Sequence, residues 1–195
     1  RISGGKLTLS GISTYTNLTE IQQGATLALM GVGSIAASSR IEFKEVTSGV
    51  ATFDISQTDS GASVMALVEN RSAIGVVALG SKDLTLTGTA TDFQGEIQDG
   101  GIGGGAGGKL TLASGAEATL RGFNTYTGAT TINDGATLKL ADFGSIHRSS
   151  VVELAGASAT FDVSGLGLGG VATIRNLAGN GTVKLGGSAL ELSHA

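Results

Sequence analysis

The chain repeats a set of short phrases in a fixed order, and this constrains its fold more than any other feature. Gly4-Gly5-Lys6-Leu7-Thr8-Leu9 returns as Gly107-Gly108-Lys109-Leu110-Thr111-Leu112. Thr14-Tyr15-Thr16 returns as Thr125-Tyr126-Thr127, and Gly24 to Leu29 as Gly135 to Leu140. Gly33-Ser34-Ile35 matches Gly144-Ser145-Ile146, and Ala51 to Ser56 matches Ala159 to Ser164. Such a chain stacks one structural unit on the next, which makes long surfaces more readily than one deep pocket.

The apolar period is two almost throughout. Ala51, Phe53 and Ile55 fall on one face of an extended segment, and Thr52, Asp54 and Ser56 on the other. Ala136, Leu138 and Leu140 oppose Thr137 and Lys139 in the same way. That is the pattern of half-buried strands, with Val64 to Asn70 the nearest approach to a helical period. Roughly 18 short strands are expected between Gly, Asn, Asp and Ser breaks. The 195 residues include 33 Gly and no Pro. Proline cannot donate to a ladder, so its absence suits a chain that is nearly all paired strand. Sandwich and up-and-down barrel closures compete with a parallel β-helix. The repeat favours the β-helix, where like residues stack on like in successive coils. At roughly 20 to 25 residues per coil the chain makes about eight or nine coils, a rod about 40 Å long.

Two of these phrases carry a family resemblance. Asn124-Thr125-Tyr126-Thr127-Gly128-Ala129-Thr130-Thr131-Ile132-Asn133-Asp134-Gly135-Ala136-Thr137-Leu138 and Leu177 to Leu185 resemble the passenger repeats of Gram-negative autotransporters (type V secretion). Ser13 to Leu27 is a decayed copy, and Asp92 to Ile97 a faint third. The resemblance implies an all-β, right-handed, single-stranded parallel β-helix, continuous over 1–195, with long repeats at about 4–100 and 107–195. It also implies display on the outer face of an outer membrane, or release from it. The absence of Cys fits passage across that membrane unfolded. The chain begins inside a repeat, so a fragment of a longer passenger is expected, its missing C-terminal part a membrane β-barrel.

Chemical motifs are thin. Gly103 to Lys109 has phosphate-loop spacing, but Leu110 stands where magnesium coordination needs Ser or Thr, and no helical pattern follows. The Gly100 to Gly108 run reads as a bulged turn needing positive φ. Asp59-Ser60-Gly61 echoes a serine nucleophile phrase, yet a triad needs a histidine base, and the two histidines are His147 and His194. Asp54 and Asp162 are the carboxylates a carbohydrate-active β-helix would use, but both recur with the scaffold. Tyr15, Tyr126 and Phe93 read as packing residues, and Asn124, Asn133, Asn176 and Asn180 as turn residues. No catalytic turnover, cofactor or metal requirement is expected.

The formal net charge is −4, so nucleic acid is a poor partner. The expected role is a surface stalk or adhesin that meets a host-cell surface protein or glycan, or the same protein on another cell. The alternatives are a released effector that binds a host receptor through the β-helix side, then a carbohydrate-active enzyme. The copies agree least between Ser38 and Lys82, with extra residues expected after Glu45 and after Ser56. Partner contact is expected in this stretch, through Glu45, Asp59, Glu69 and Arg71. The residues expected to point inward are Leu7, Leu9, Leu27, Leu29, Phe53, Ile55, Leu110, Leu112, Leu138, Leu140, Phe161, Val163, Val183 and Leu185.

Overall fold

A computed structural model describes residues 1–45, 49–69 and 75–193. Among the described residues there are twenty-one strands, and every ladder between them is parallel. The chain is a parallel β-solenoid of about eight turns. One sheet stacks Gly5–Leu9, Ala25–Gly31, Ala51–Thr58, Gly75–Ala78 and Glu96–Gln98. A second stacks Thr19–Gln22, Ile41–Lys44, Leu67–Glu69, Thr91–Phe93, Glu117–Leu120, Thr137–Ala141, Thr160–Gly165 and Thr182–Lys184. A third stacks Ala62–Val64, Asp83–Leu86, Lys109–Leu112, Thr130–Asn133, Val152–Ala155 and Leu177–Gly179. Val171–Ile174 and Ala189–Leu192 form a fourth. The segment from Val64 to Glu69 with helix-like spacing is strand, turn and strand.

Inward-facing residues stack into columns because each coil is in register with the next. One column runs Ile21, Phe43, Glu69, Phe93, Leu120 and Leu140 through six successive coils. Burial of such columns removes apolar area from water at about 25 cal/mol per Å², the main favourable term here. Most residues expected inside are fully buried, including Leu27, Phe53, Leu110, Leu138 and Phe161. Leu9 and Val183 are half-buried, whereas Leu7 and Leu185 are exposed by 42% and 41%. These four lie in the first and last coils, which are covered on one side only.

The pairing of repeats differs from the pairing of words. Gly5–Leu9 lies against Ala25–Gly31, with Leu9 opposite Leu29. The strand that holds this place in the second copy is Glu117–Leu120, with Leu120 opposite Leu140. The identical words at Lys6 and Lys109 are therefore not structural equivalents. True equivalence runs from Thr-Tyr-Thr onward. Tyr15 hydroxyl bonds Thr19 Oγ1 at 2.7 Å, and Thr19 bonds Ser38 at 2.8 Å. Tyr126, Thr130 and Ser149 repeat this chain at the same distances. The first-copy strand Ala51–Thr58 belongs to the first sheet and its counterpart Thr160–Gly165 to the second. The second unit is thus turned by one face around the rod axis.

Candidate binding clefts at a repeated corner

Asp54 and Ser56 alternate outward, as the pattern requires, yet both are buried. The cover is the glycine run. Asp54 Oδ2 accepts the Ile102 N–H at 2.7 Å, and Ser56 Oγ accepts the Gly103 N–H at 2.7 Å. Asp54 Oδ1 in turn accepts the Ser56 N–H and Oγ–H at 2.9 and 2.6 Å. At the other end of the loop, Asp99 accepts the N–H groups of Gly107 and Gly108 at 3.2 and 2.9 Å. Gly101 has φ +99°, and a Cβ there would lie 2.7 Å from Asp54 Oδ2, so only glycine fits. The amides that resemble a phosphate loop are spent within the chain, on Asp99, the Ser56 hydroxyl and the Gly101 and Lys82 carbonyls.

This packing also separates the two carboxylates considered for catalysis. Asp54 lies in the first sheet beneath the loop. Asp162 lies in the second, where it accepts the N–H and Oγ–H of its own Ser164 at 2.9 and 2.6 Å. Ala28 and Ala78 flank Asp54 and leave room for the loop, whereas Lys139 and Lys184 flank Asp162.

The four residues expected to meet a partner fall in different settings. Glu45 is exposed, and Asp59 sits on the surface at the turn after Ala51–Thr58. Arg71 lies outside the described residues, as does His194. Glu69 is turned into the rod, and this corrects its assignment to the surface. Its Oε1 accepts the Gly75 N–H at 2.5 Å and its Oε2 the Gln94 N–H at 2.9 Å. Burial pushes its carboxyl up to about 7, against the pull of the N–H groups of Gly75, Gln94 and Gly95. The sign was present in the sequence, since Glu69 shares the inward period with Leu67. Its charge argued for the surface, and the backbone amides that satisfy it are visible only in the fold. Nor is the stretch after Ser56 an inserted loop. The strand continues to Thr58, and the next begins at Ala62.

Asp59 lines a cleft of about 340 Å³ between two successive corners of the rod. Its walls are Gly31 to Ser34 below, the Asp59-Ser60-Gly61 turn above, and Asp83 and Thr85 from the coil after. The Asp59 carbonyl accepts a bond from Lys82 Nζ at 3.3 Å. Asp83 accepts the Thr111 hydroxyl at 3.0 Å, which fixes its carboxylate. The same corner of the second copy holds another cleft, of about 470 Å³, between Asp142 to Ser145 and Leu166 to Thr173. The corners are tight because a Cβ on Gly33 would lie 2.1 Å from the Leu9 carbonyl oxygen, and one on Gly144 2.2 Å from that of Leu120. The Asn124 side chain holds this corner from inside. It accepts the Ile97 N–H at 3.0 Å and donates to the Gly122 and Ser145 carbonyls at 2.9 and 3.1 Å. Asn124 is thus a buried staple across three coils, with φ outside the left-handed region.

Comparison with known families places this architecture. The family model described as passenger-associated-transport-repeat matches residues 3–29 and 107–140. Two segments of the chain are thus similar to passenger-associated transport repeats. These are a repeat of autotransporter passenger domains, which are secreted or surface-exposed. The matched segments contain both Thr-Tyr-Thr motifs and the paired registers of Gly5–Leu9 with residues 25–29 and of Glu117–Leu120 with residues 137–140. The two clefts begin just past the matched segments, at Gly31 and Asp142, with Phe123 the matched residue that reaches the second. No curated protein and no solved structure matches the chain.

Proposed function

We propose that this passenger-repeat rod is a surface-displayed, non-catalytic adhesin whose first-copy corner cleft meets a cationic group on a host-cell surface protein. The observation that carries this reading is the cleft itself, built by a repeat corner and by the Asp59-Ser60-Gly61 turn, with Asp59 and Asp83 on its walls. Carboxylates at a rim steer a cationic partner and fix its register. A non-catalytic role fits the separation of Asp54 from Asp162 and the absence of histidine beside Asp59 and Ser60 among the cleft residues. A parallel rod displays such a corner at a distance from whatever anchors it, which suits contact between surfaces.

The test exchanges Gln57–Ser63 for its second-copy counterpart, Gly165–Val171, seven residues for seven. The exchanged protein should keep its melting temperature within a few degrees and lose attachment to host cells. Attachment at the wild-type level with an intact fold would remove this corner as the contact. Comparing attached cells with culture supernatant separates display from release. A released effector would retain its receptor binding with the chain found free in the medium.

A further inference from the structure

The second copy does not reproduce the chemistry of the first at its corner. Where the first copy has Ser10, Ile12, Gly31, Val32 and Ala36, the second has Arg121, Phe123, Asp142, Phe143 and His147. These changes are coordinated. Arg121 grips Asp92 with two bonds, Nε to Oδ1 at 2.6 Å and Nη2 to Oδ2 at 3.1 Å. Its Nη1 donates to Asp142 Oδ2 at 2.8 Å. Asp142 has φ +55°, in the left-handed region that Gly31 adopts in the first copy at φ +61°. An aspartate tolerates that conformation better than most side chains. The result is a corner held by an ion-pair triad, with two phenylalanines standing out of it. Phe123 is 62% exposed and Phe143 74% exposed. Together they form a ridge between two depressions, of about 470 and 480 Å³. Polar groups rim both: Gln94 and Arg121 on one side, Ser145, His147 and Thr173 on the other.

We propose that this ridge is a binding site for a neutral oligosaccharide. A pyranose ring presents C–H groups on its flat face and hydroxyls around its edge. An aromatic face takes the first, and hydrogen-bonding side chains around it take the second. Phe123 and Phe143 stand on adjacent coils, about 4.8 Å apart along the rod, so consecutive sugar units meet consecutive rings. A protein contact wants a broad, dry apolar centre. Here the apolar surface is a narrow ridge with polar groups on both sides. The charge balance selects among glycans. Arg121 is committed to two carboxylates, Asp92 and Asp142, so the ridge is locally acidic and disfavours a sialylated or sulfated chain. The proposal deepens the adhesin reading by naming a ligand class, and it rests on that reading only for its biological use. The site is separate from the first-copy cleft, being on the other repeat and turned by one face around the rod.

The test uses the purified 195-residue chain on a printed panel of neutral and sialylated oligosaccharides, followed by calorimetric titration with the best neutral one. The variant F123I/F143V carries the residues that stand at these exposed positions in the first copy, and both stay apolar. It should melt with the wild type and lose affinity by about tenfold or more, as expected when two aromatic contacts go. Phe143→Val alone, at the more exposed position, should lose part of that affinity and guards against a folding defect in the double variant. Failure of the chain to bind any neutral oligosaccharide, preference for the sialylated ones, or wild-type affinity in F123I/F143V would each overturn the proposal. Retained binding in F123I/F143V is the result a protein-type apolar contact gives. The Gln57–Ser63 exchange should leave sugar binding unchanged, so the two sites fail separately.

Discussion

Glu69 occupies a position that its neighbours fill with phenylalanine. Phe43 precedes it in the column and Phe93 follows, and their ring centroids approach to 5.3 Å. Burial raises its folded pKa to about 7, above the ordinary value near 4.5. The folded state then holds more protons than the unfolded chain between those values, so the stability from this group is complete below pH 4.5 and is lost as pH rises through 7. The melting temperature should therefore fall between pH 5 and pH 8 in the wild type, and Glu69→Gln should flatten that slope whatever its absolute stability. Equal slopes would show that folding does not raise the proton affinity of Glu69. A second contrast tests the register. Leu138 is fully buried and Lys139 points outward. Leu138→Asp puts an unpaired charge into a dry core at a cost of several kcal/mol, about 4 or more, while Lys139→Ala changes a solvated position by about 0.5 kcal/mol or less. Similar denaturant midpoints for the two would refute the inward assignment. That assignment was legible in the sequence because period-two alternation reports which side chains share a face. What alternation does not report is whether the outer face meets water or more protein, and so Asp54 and Ser56 read as solvated when they are not.

At the scale of the element, the glycine loop from Gly100 to Gly108 shows why its turn was readable and its destination was not. Positive φ at Gly100, Gly101, Gly104, Gly105 and Gly107 explains the run of glycines. Its docking depends on residues 48 positions earlier, through Ile102 to Asp54. It also depends on Ala28 and Ala78 being small. No local signal carries that information. Asp54→Ala strands the Ile102 N–H and removes the support of Ser56. It should cost about 1–3 kcal/mol and open the loop to protease between Gly100 and Gly108. Asp162→Ala removes the equivalent side chain where no loop is docked, and should cost less. Equal losses, or an unchanged cleavage pattern in Asp54→Ala, would show that the loop is held by other means. The corner clefts teach the same lesson. The spacing of Thr-Tyr-Thr and Gly-Ser-Ile already matches Ile12 to Phe123 and Val32 to Phe143, but that each pair meets at one exposed corner is visible only in the fold.

In the whole molecule, each coil touches chiefly the coils above and below it, so stability is a sum of coil terms and nearest-neighbour interfaces. The repeats differ in composition at each interface, and the rod is not uniform. The middle of the second copy stacks Leu110, Leu120, Leu138, Leu140 and Phe161 with complete burial, and Tyr126, Thr130 and Ser149 add a buried hydroxyl chain. The equivalent Tyr15 is 41% exposed, although it makes the same bonds to Thr19 and Ser38. Leu177, Leu185 and Leu192 at the far end are exposed by 36%, 41% and 49%. A stack of nearest-neighbour terms opens from its weakest interfaces, and amide hydrogens report the local opening free energy. In a protein of these 195 residues, deuterium uptake should be slowest in Lys109–Leu112, Thr130–Asn133 and Thr137–Ala141. It should be faster in Gly5–Leu9 and fastest in Leu177–Gly179 and Ala189–Leu192. Tyr126→Phe should speed exchange in its own and adjacent coils by removing a buried bond worth about 1 kcal/mol, and leave Gly5–Leu9 unchanged. Tyr15→Phe should act only on the first coils. Uniform protection along the rod, or a response to Tyr126→Phe that spreads to Gly5–Leu9, would mean that the coils unfold as one cooperative block and that neighbour terms do not decide the order.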